Sequence, residues 1–219
     1  MSKKQKGDLY LFVSYAPGVG KTYHMVKFAQ QREIKGDKVC YAHIYDGHRD
    51  DINGKCKYSI KEILHENPDL VVLDELVMRG RNVDDSSKGV RDDAEALLEM
   101  GIDVCSTVNL LHFSYVNKAC KDKTGFQVKE PLSNDLLIKS KEIVYIDCYP
   151  EILEDGYINN VLFTKIKKSP KTDNIFNLEN LKLFRLESIN LLKKFDNVTW
   201  KIRRLKYESP KGKKDEEST

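Results

Sequence analysis

Short apolar blocks alternate with longer amphipathic stretches along most of this chain, the pattern of a mainly parallel sheet covered by helices on both faces. Leu9–Ser14 predicts a first strand, and Lys38–Ile44, Leu70–Asp74, Asp103–Val108 and Ile143–Asp147 predict four more. Lys21–Ile34 reads as a helix between the first two. Val90, Ala94, Leu97 and Leu98 recur at the spacing of one buried helical face, and Gly101 closes that helix. Past Gly156 a lysine-rich connection, residues 165–171, leads to a further helix with Leu178, Leu181, Phe184, Leu191 and Phe195 on one side. Such a helix can dock on the body. Residues 211–219 are polar throughout and have nothing to bury, so they predict disorder.

The first predicted strand runs straight into candidate chemistry. Tyr15-Ala16-Pro17-Gly18-Val19-Gly20-Lys21-Thr22 places two glycines and a lysine between strand and helix. Glycines reach backbone angles that bring amide N–H groups onto phosphate oxygens, and the helix behind adds the positive end of its dipole. Lys21 then reaches the β- and γ-phosphates of a nucleoside triphosphate, and the Thr22 hydroxyl ligates magnesium. In the general pattern a glycine opens the loop; here Tyr15 stands in its place. Further on, Leu70-Val71-Val72-Leu73-Asp74-Glu75 supplies a buried-looking strand ending in two carboxylates. The carboxyl ends of parallel strands share one edge of the sheet. Asp74 is therefore expected near the loop, holding the magnesium directly or through water, with Glu75 placed to orient or deprotonate an attacking water.

Loop and strand together predict a P-loop NTPase-like α/β domain with ATP and Mg2+ as ligands. The expected binding residues are Ala16, Pro17, Gly18, Val19, Gly20, Lys21, Thr22, Tyr23 and Asp74, with Thr22 and Asp74 on the metal. The bland alternative is a glycine turn with an incidental Gly-Lys-Thr and two solvated strand-end carboxylates. Asn117-Lys118 opens like the guanine-reading motif, but Cys120 occupies the aspartate position, so guanine specificity has no support. The histidines, His24, His43, His48, His65 and His112, lack zinc spacing and read as surface or packing residues.

Composition narrows the setting. No run approaches the roughly 20 apolar residues of a membrane span, and Met1–Lys6 leads into no apolar signal region, so the cytoplasm is the expected compartment. Five scattered cysteines suit neither a disulfide framework nor a zinc site and read as reduced thiols. Charge is uneven: residues 161–219 hold 15 Lys and Arg against 8 Asp and Glu, leaving 22 against 26 before them. The basic end, including Lys201, Arg203, Arg204 and Lys206, has only Trp200 and Tyr207 as aromatic company, too little for a nucleic-acid platform.

Three segments carry a family resemblance. They are Ala16 to Tyr23, Pro68 to Leu76, and Gly101-Ile102-Asp103-Val104 with Thr107-Val108-Asn109 and His112. In order and spacing they resemble the N-terminal cytoplasmic sensor domain of the osmosensitive potassium-channel histidine kinases, the KdpD family. The resemblance covers residues 7–160, read as the nucleotide-binding domain, followed by a helical extension over 161–207 and a disordered charged tail over 208–219. It implies a regulatory ATP-binding domain of a two-component system that controls potassium uptake. The family also tolerates a non-glycine residue at the start of its loop, which accommodates Tyr15. Without a phospho-acceptor histidine setting or a kinase lid, this chain by itself is expected not to autophosphorylate. Residues 77–85 and 45–48 depart from the family's usual text.

Three functions compete on this reading. In the first, the γ-phosphate and magnesium order segments 45–58 and 77–90, which a histidine kinase or a potassium transport component then reads, with at most slow hydrolysis. In the second, the chain is a transferase or kinase of a small molecule, similar to corrinoid adenosyltransferases or thymidine kinases, with Arg79 and Arg81 stabilising transition-state charge. In the third, it is an interaction module docking through its C-terminal helix, in which case residues 161–219 are dispensable for nucleotide affinity.

Overall fold

The computed structural model describes residues 6–44, 58–159 and 168–202. Within them, β1 (Leu9–Ser14), β2 (Val39–His43), β3 (Leu70–Leu73), β4 (Asp103–Asn109), β5 (Glu142–Asp147) and β6 (Val198–Ile202) form one sheet. Its order is β2-β3-β4-β1-β5-β6 and every pair is parallel. Parallel neighbours need a crossover between them, and helices supply it. These are α1 (Lys21–Ile34), α2 (Ile60–Glu66), α3 (Val90–Glu99), α4 (Ser114–Thr124), α5 (Asp135–Lys139), α6 (Pro150–Ile158), α7 (Pro170–Ile175) and α8 (Leu178–Leu192).

Both faces of the sheet are covered. Along β1, Tyr10 and Phe12 meet Phe28 of α1 with ring centroids 4.8 and 5.6 Å apart. Leu9, pointing the opposite way, shares a hollow with Leu98 of α3 and Leu136 of α5. Strands buried on two faces lose the apolar–polar alternation, which is why Leu70, Val71, Val72 and Leu73 are all fully buried and read as one apolar run.

The topology singles out one place on the sheet edge. From β1 the chain crosses to the far edge at β2, steps back through β3 and β4, and then passes β1 to reach β5. The carboxyl ends of β1 and β4 are neighbours whose onward connections part in opposite directions, where open α/β sheets leave a crevice.

The expected strands recur within a residue or so at each end, and the helix predicted over Lys21–Ile34 has those bounds. The C-terminal part differs from its reading as a helical extension. Its apolar face is carried by α8, Phe195 lies beyond that helix, and the residues after it return to the sheet as β6, beside β5. The lysine-rich connection up to Lys167, segment 45–57 and residues 203–219, with their expected switch role and disorder, lie outside the described residues. Cys105 and Cys120 are buried free thiols, and burial pushes the Cys120 thiol up to about 12.

Candidate functional site

Ser14 closes β1, a six-residue loop follows, and α1 begins at Lys21. The loop turns on its glycines: Gly18 has φ 78° and Gly20 φ 105°, both left-handed, which a Cβ opposes. Gly20 is also the N-cap of α1, where no side chain caps the helix and no acidic residue lies in the first turn. The positive end of the helix dipole therefore faces the loop with no carboxylate of its own turn to offset it.

Lys21 is the loop's charge. Its ammonium donates to Ser14 Oγ at 3.2 Å and to the carbonyl oxygen of Ala16 at 3.5 Å. Burial lowers its pKa, while the carboxylates of Glu75 and then Asp74 oppose that shift. Ser14 in turn donates to the same Ala16 carbonyl at 2.6 Å, so the root of the loop is tied by side chains.

Asp74, fully buried just past β3, is reached from two other elements. Thr22 Oγ1 on α1 donates to its Oδ2 at 3.0 Å, and Thr107 Oγ1 on β4 donates to its Oδ1 at 2.5 Å. The sheet order explains the bridge. β4 stands between β3 and β1, so a β4 hydroxyl is the side chain placed to hold the carboxylate toward the loop. Glu75 follows with φ 56°, a left-handed conformation uncommon for a residue with a Cβ and one that needs support from its surroundings. Here its amide N–H is held by Asp74 Oδ1 and Thr107 Oγ1, each at 3.1 Å. Burial raises the Glu75 carboxyl and the charge of Asp74 adds to this, whereas Lys21 and Arg81 pull it back down.

The structure thus brings Lys21, Thr22, Asp74 and Glu75 into one cluster at the glycine loop. Ala16 and Val19 are fully buried beneath it, and Pro17 stands at its rim. Tyr23 lies apart, exposed on α1 with the Lys27 ammonium 4.8 Å over its ring. No group of three or more His, Cys, Asp or Glu side chains suited to a metal occurs among the described residues. Thr22 and Asp74 place a hydroxyl and a carboxylate oxygen side by side at the loop. Arg79 is committed to Glu130 at 2.5 Å, and the Arg81 side chain turns to Met78 Sδ at 2.9 Å. Segment 77–90 is tied to its surroundings: Asn82 Nδ2 donates to buried Asp93 at 2.9 Å, the Tyr58 amide donates to the Arg81 carbonyl at 3.2 Å, and the Val83 amide donates to the Tyr58 carbonyl at 2.7 Å.

A cavity of about 400 Å³ opens beside the cluster. It runs from Lys21 and Glu75 past Asn109 and His112 to Val128 and Lys171. His112, read from the sequence as surface or packing, belongs to this wall. Burial, then the positive charges of Lys21 and Lys171, push its imidazole down to about 4. Thr107, Asn109 and His112 are the site residues whose individual roles the sequence does not reveal. Their signals in the sequence are their place at or just past the end of a predicted strand and their share in the family resemblance.

The family described as "KdpD: Osmosensitive K+ channel His kinase sensor domain" matches residues 5–58 and 55–194. A KdpD-type sensor protein of Synechocystis is 27% identical over 201 residues, covering 83% of this chain and 54% of the relative. The sensor proteins KdpD of Clostridium acetobutylicum and Escherichia coli K12 are each 25% identical over 218 residues, covering 91% and 90% of this chain and 24% of each relative. The chain thus spans about half the length of the first relative and a quarter of the other two. No helix among the described residues is long and apolar enough to cross a membrane. The family match covers nearly the whole of the described sheet, including the loop, the Asp74–Glu75 corner and α8, and the chain belongs to the KdpD family of osmosensitive K+ channel histidine kinase sensor domains.

Proposed function

We propose that this chain is a nucleotide-binding sensor module of a two-component system that regulates potassium uptake, taking ATP with Mg2+ at the glycine loop. The observation that carries the reading is the Thr22–Asp74 pair, 3.0 Å apart at the foot of a helix that starts from a left-handed glycine. A hydroxyl and a carboxylate side by side suit magnesium, which takes one or two protein oxygens and completes its shell with phosphate and water. Bound there, Mg2+ would neutralise phosphate charge. Thr22 and Asp74 would hold it, Lys21 would exchange its Ser14 and Ala16 contacts for phosphate oxygens, and Thr107 would keep Asp74 in place. Glu75 is the candidate for positioning water, and its raised pKa fits a group able to hold or accept a proton. Membership of the family supports the sensor role, with a histidine kinase or a potassium transport component as the partner.

Calorimetric titration of ATP, ADP and GTP with magnesium tests this. One site that favours ATP, needs magnesium and disappears in Lys21→Ala is expected; an intact chain that takes up no nucleotide would sink the proposal. A second reading, transfer to a small molecule, draws support from the cavity beside Lys21, and turnover with an added acceptor would distinguish it from a switch.

A further inference from the structure

The cavity beside the loop is walled mostly by elements that a phosphate cradle does not require. Leu111 and His112 come from the one-turn 3-10 helix after β4, Phe126 to Lys129 from the loop after α4, and Lys171 and Ile175 from α7. Its volume of about 400 Å³ lies within the range of small-molecule sites, and its lining divides by chemistry. Its apolar lining is Val77, Leu111, Phe126, Val128 and Ile175. Its charged lining is three cationic side chains, Lys21, Lys129 and Lys171, against one carboxyl group, Glu75.

The polar atoms there are unevenly committed. Asn109 Oδ1 accepts from the Leu111 amide at 3.0 Å, which fixes the turn. Glu75 is held by its backbone amide, which donates to Asp74 Oδ1 at 3.1 Å. His112 is neutral at physiological pH, since its pKa falls to about 4. An anion entering this space meets three ammonium groups against one carboxyl group.

We propose that this cavity is a second ligand site, abutting the nucleotide site, for a small organic anion. The ligand is a compact apolar body bearing one oxyanion group. The oxyanion lies on Lys171 and Lys129, and the body packs on Phe126, Val128 and Ile175. Its inner end adjoins Lys21 and Glu75, so the site reports on whether a triphosphate occupies the loop. The pairing with nucleotide rests on the proposed function; the cavity itself does not.

The test uses phenyl phosphate, with benzylamine and inorganic phosphate beside it, titrated into the intact chain with and without the non-hydrolysable analogue AMP-PNP and magnesium. One saturable site for phenyl phosphate is expected, with weaker binding of inorganic phosphate and none of benzylamine. Lys171→Glu and Lys129→Glu, both on exposed residues that leave the core alone, should each weaken it roughly tenfold or more, the loss of a charge-assisted contact. Neither should alter nucleotide affinity. Phenyl phosphate binding that survives both variants but is displaced by AMP-PNP puts the anion in the glycine loop and overturns the proposal, as does the absence of saturable binding. Lysine-dependent binding in a chain that takes no nucleotide would overturn the nucleotide reading and keep the second site.

Discussion

Tyr15 Oη donates to the carbonyl oxygen of Cys148 across 2.7 Å, joining the root of the glycine loop to the turn after β5. The general phosphate-loop pattern has glycine at this position. Here a fully buried ring fills the space under the loop, and its hydroxyl reaches the neighbouring strand end. Tyr15→Phe keeps the ring and removes one hydrogen bond, so it should cost about 1 kcal/mol in urea unfolding. Tyr15→Gly restores the general pattern yet empties a core position, and about 3–5 kcal/mol should be lost. A Gly variant as stable as the parent would mean that the loop tolerates glycine without the ring's support.

Thr107 supports the site through Asp74. Thr107→Val conserves shape and withdraws the donor from a buried carboxylate, at a cost of about 1–3 kcal/mol. If Asp74 serves the cation, the magnesium concentration needed for half-maximal ATP binding should rise while metal-free nucleotide binding changes little. Equal weakening of both would make Thr107 a packing residue only.

How far the site was readable depends on where each residue's partner lies in the chain. Gly18, Gly20, Lys21 and Thr22 stand in consecutive text whose spacing carries a backbone requirement. The left-handed angles at both glycines match it. Asp74 was legible because a buried parallel strand must end at the same edge as β1. Thr107 was not, since its role follows from β4 lying between β3 and β1, a strand order that no local pattern encodes. His112 failed for a similar reason. Its environment is set by α7 and the loop after α4, far away in sequence. β6 escaped notice because an edge strand with exposed Trp200 and Lys201 lacks the continuous apolar run of the central strands.

His112 carries a pH dependence whose sign can be worked out. Its folded pKa of about 4 lies below the ordinary 6.5. As pH falls below 6.5 the unfolded chain gains a proton there that the folded chain refuses, so this stability is full above 6.5 and drains away toward about 4. The loss is at most about 3 kcal/mol, less any relief from water entering the cavity. His112→Gln should flatten the stability profile within that window and leave it unchanged above. An unaltered acid profile would show that the imidazole protonates freely in the folded state.

The extension after residue 160 is where structure and sequence point to opposite experiments. On the third of the functions read from the sequence, residues 161–219 dock through their helix and nucleotide binding can lose them. In the fold, Arg185 of α8 reaches Asp147 at the end of β5, with its Nε 2.8 Å from Oδ1 and an Nη 2.5 Å from Oδ2. Leu181, Phe184, Leu191 and Leu192 are buried, and β6 pairs with β5 from Ile143 to Asp147. Burying four such side chains is worth about 1.5–3 kcal/mol each, which together rivals the whole margin of about 5–15 kcal/mol that holds a domain folded. Arg185→Ala alone should cost about 1–3 kcal/mol, since Asp147 is only 10% exposed and would lose its cation. Deletion of 161–219 should therefore abolish cooperative thermal unfolding as well as nucleotide binding. The point variant supplies the control: if the truncated chain melted cooperatively and Arg185→Ala were neutral, α8 and β6 would be an appendage and the sequence reading would stand.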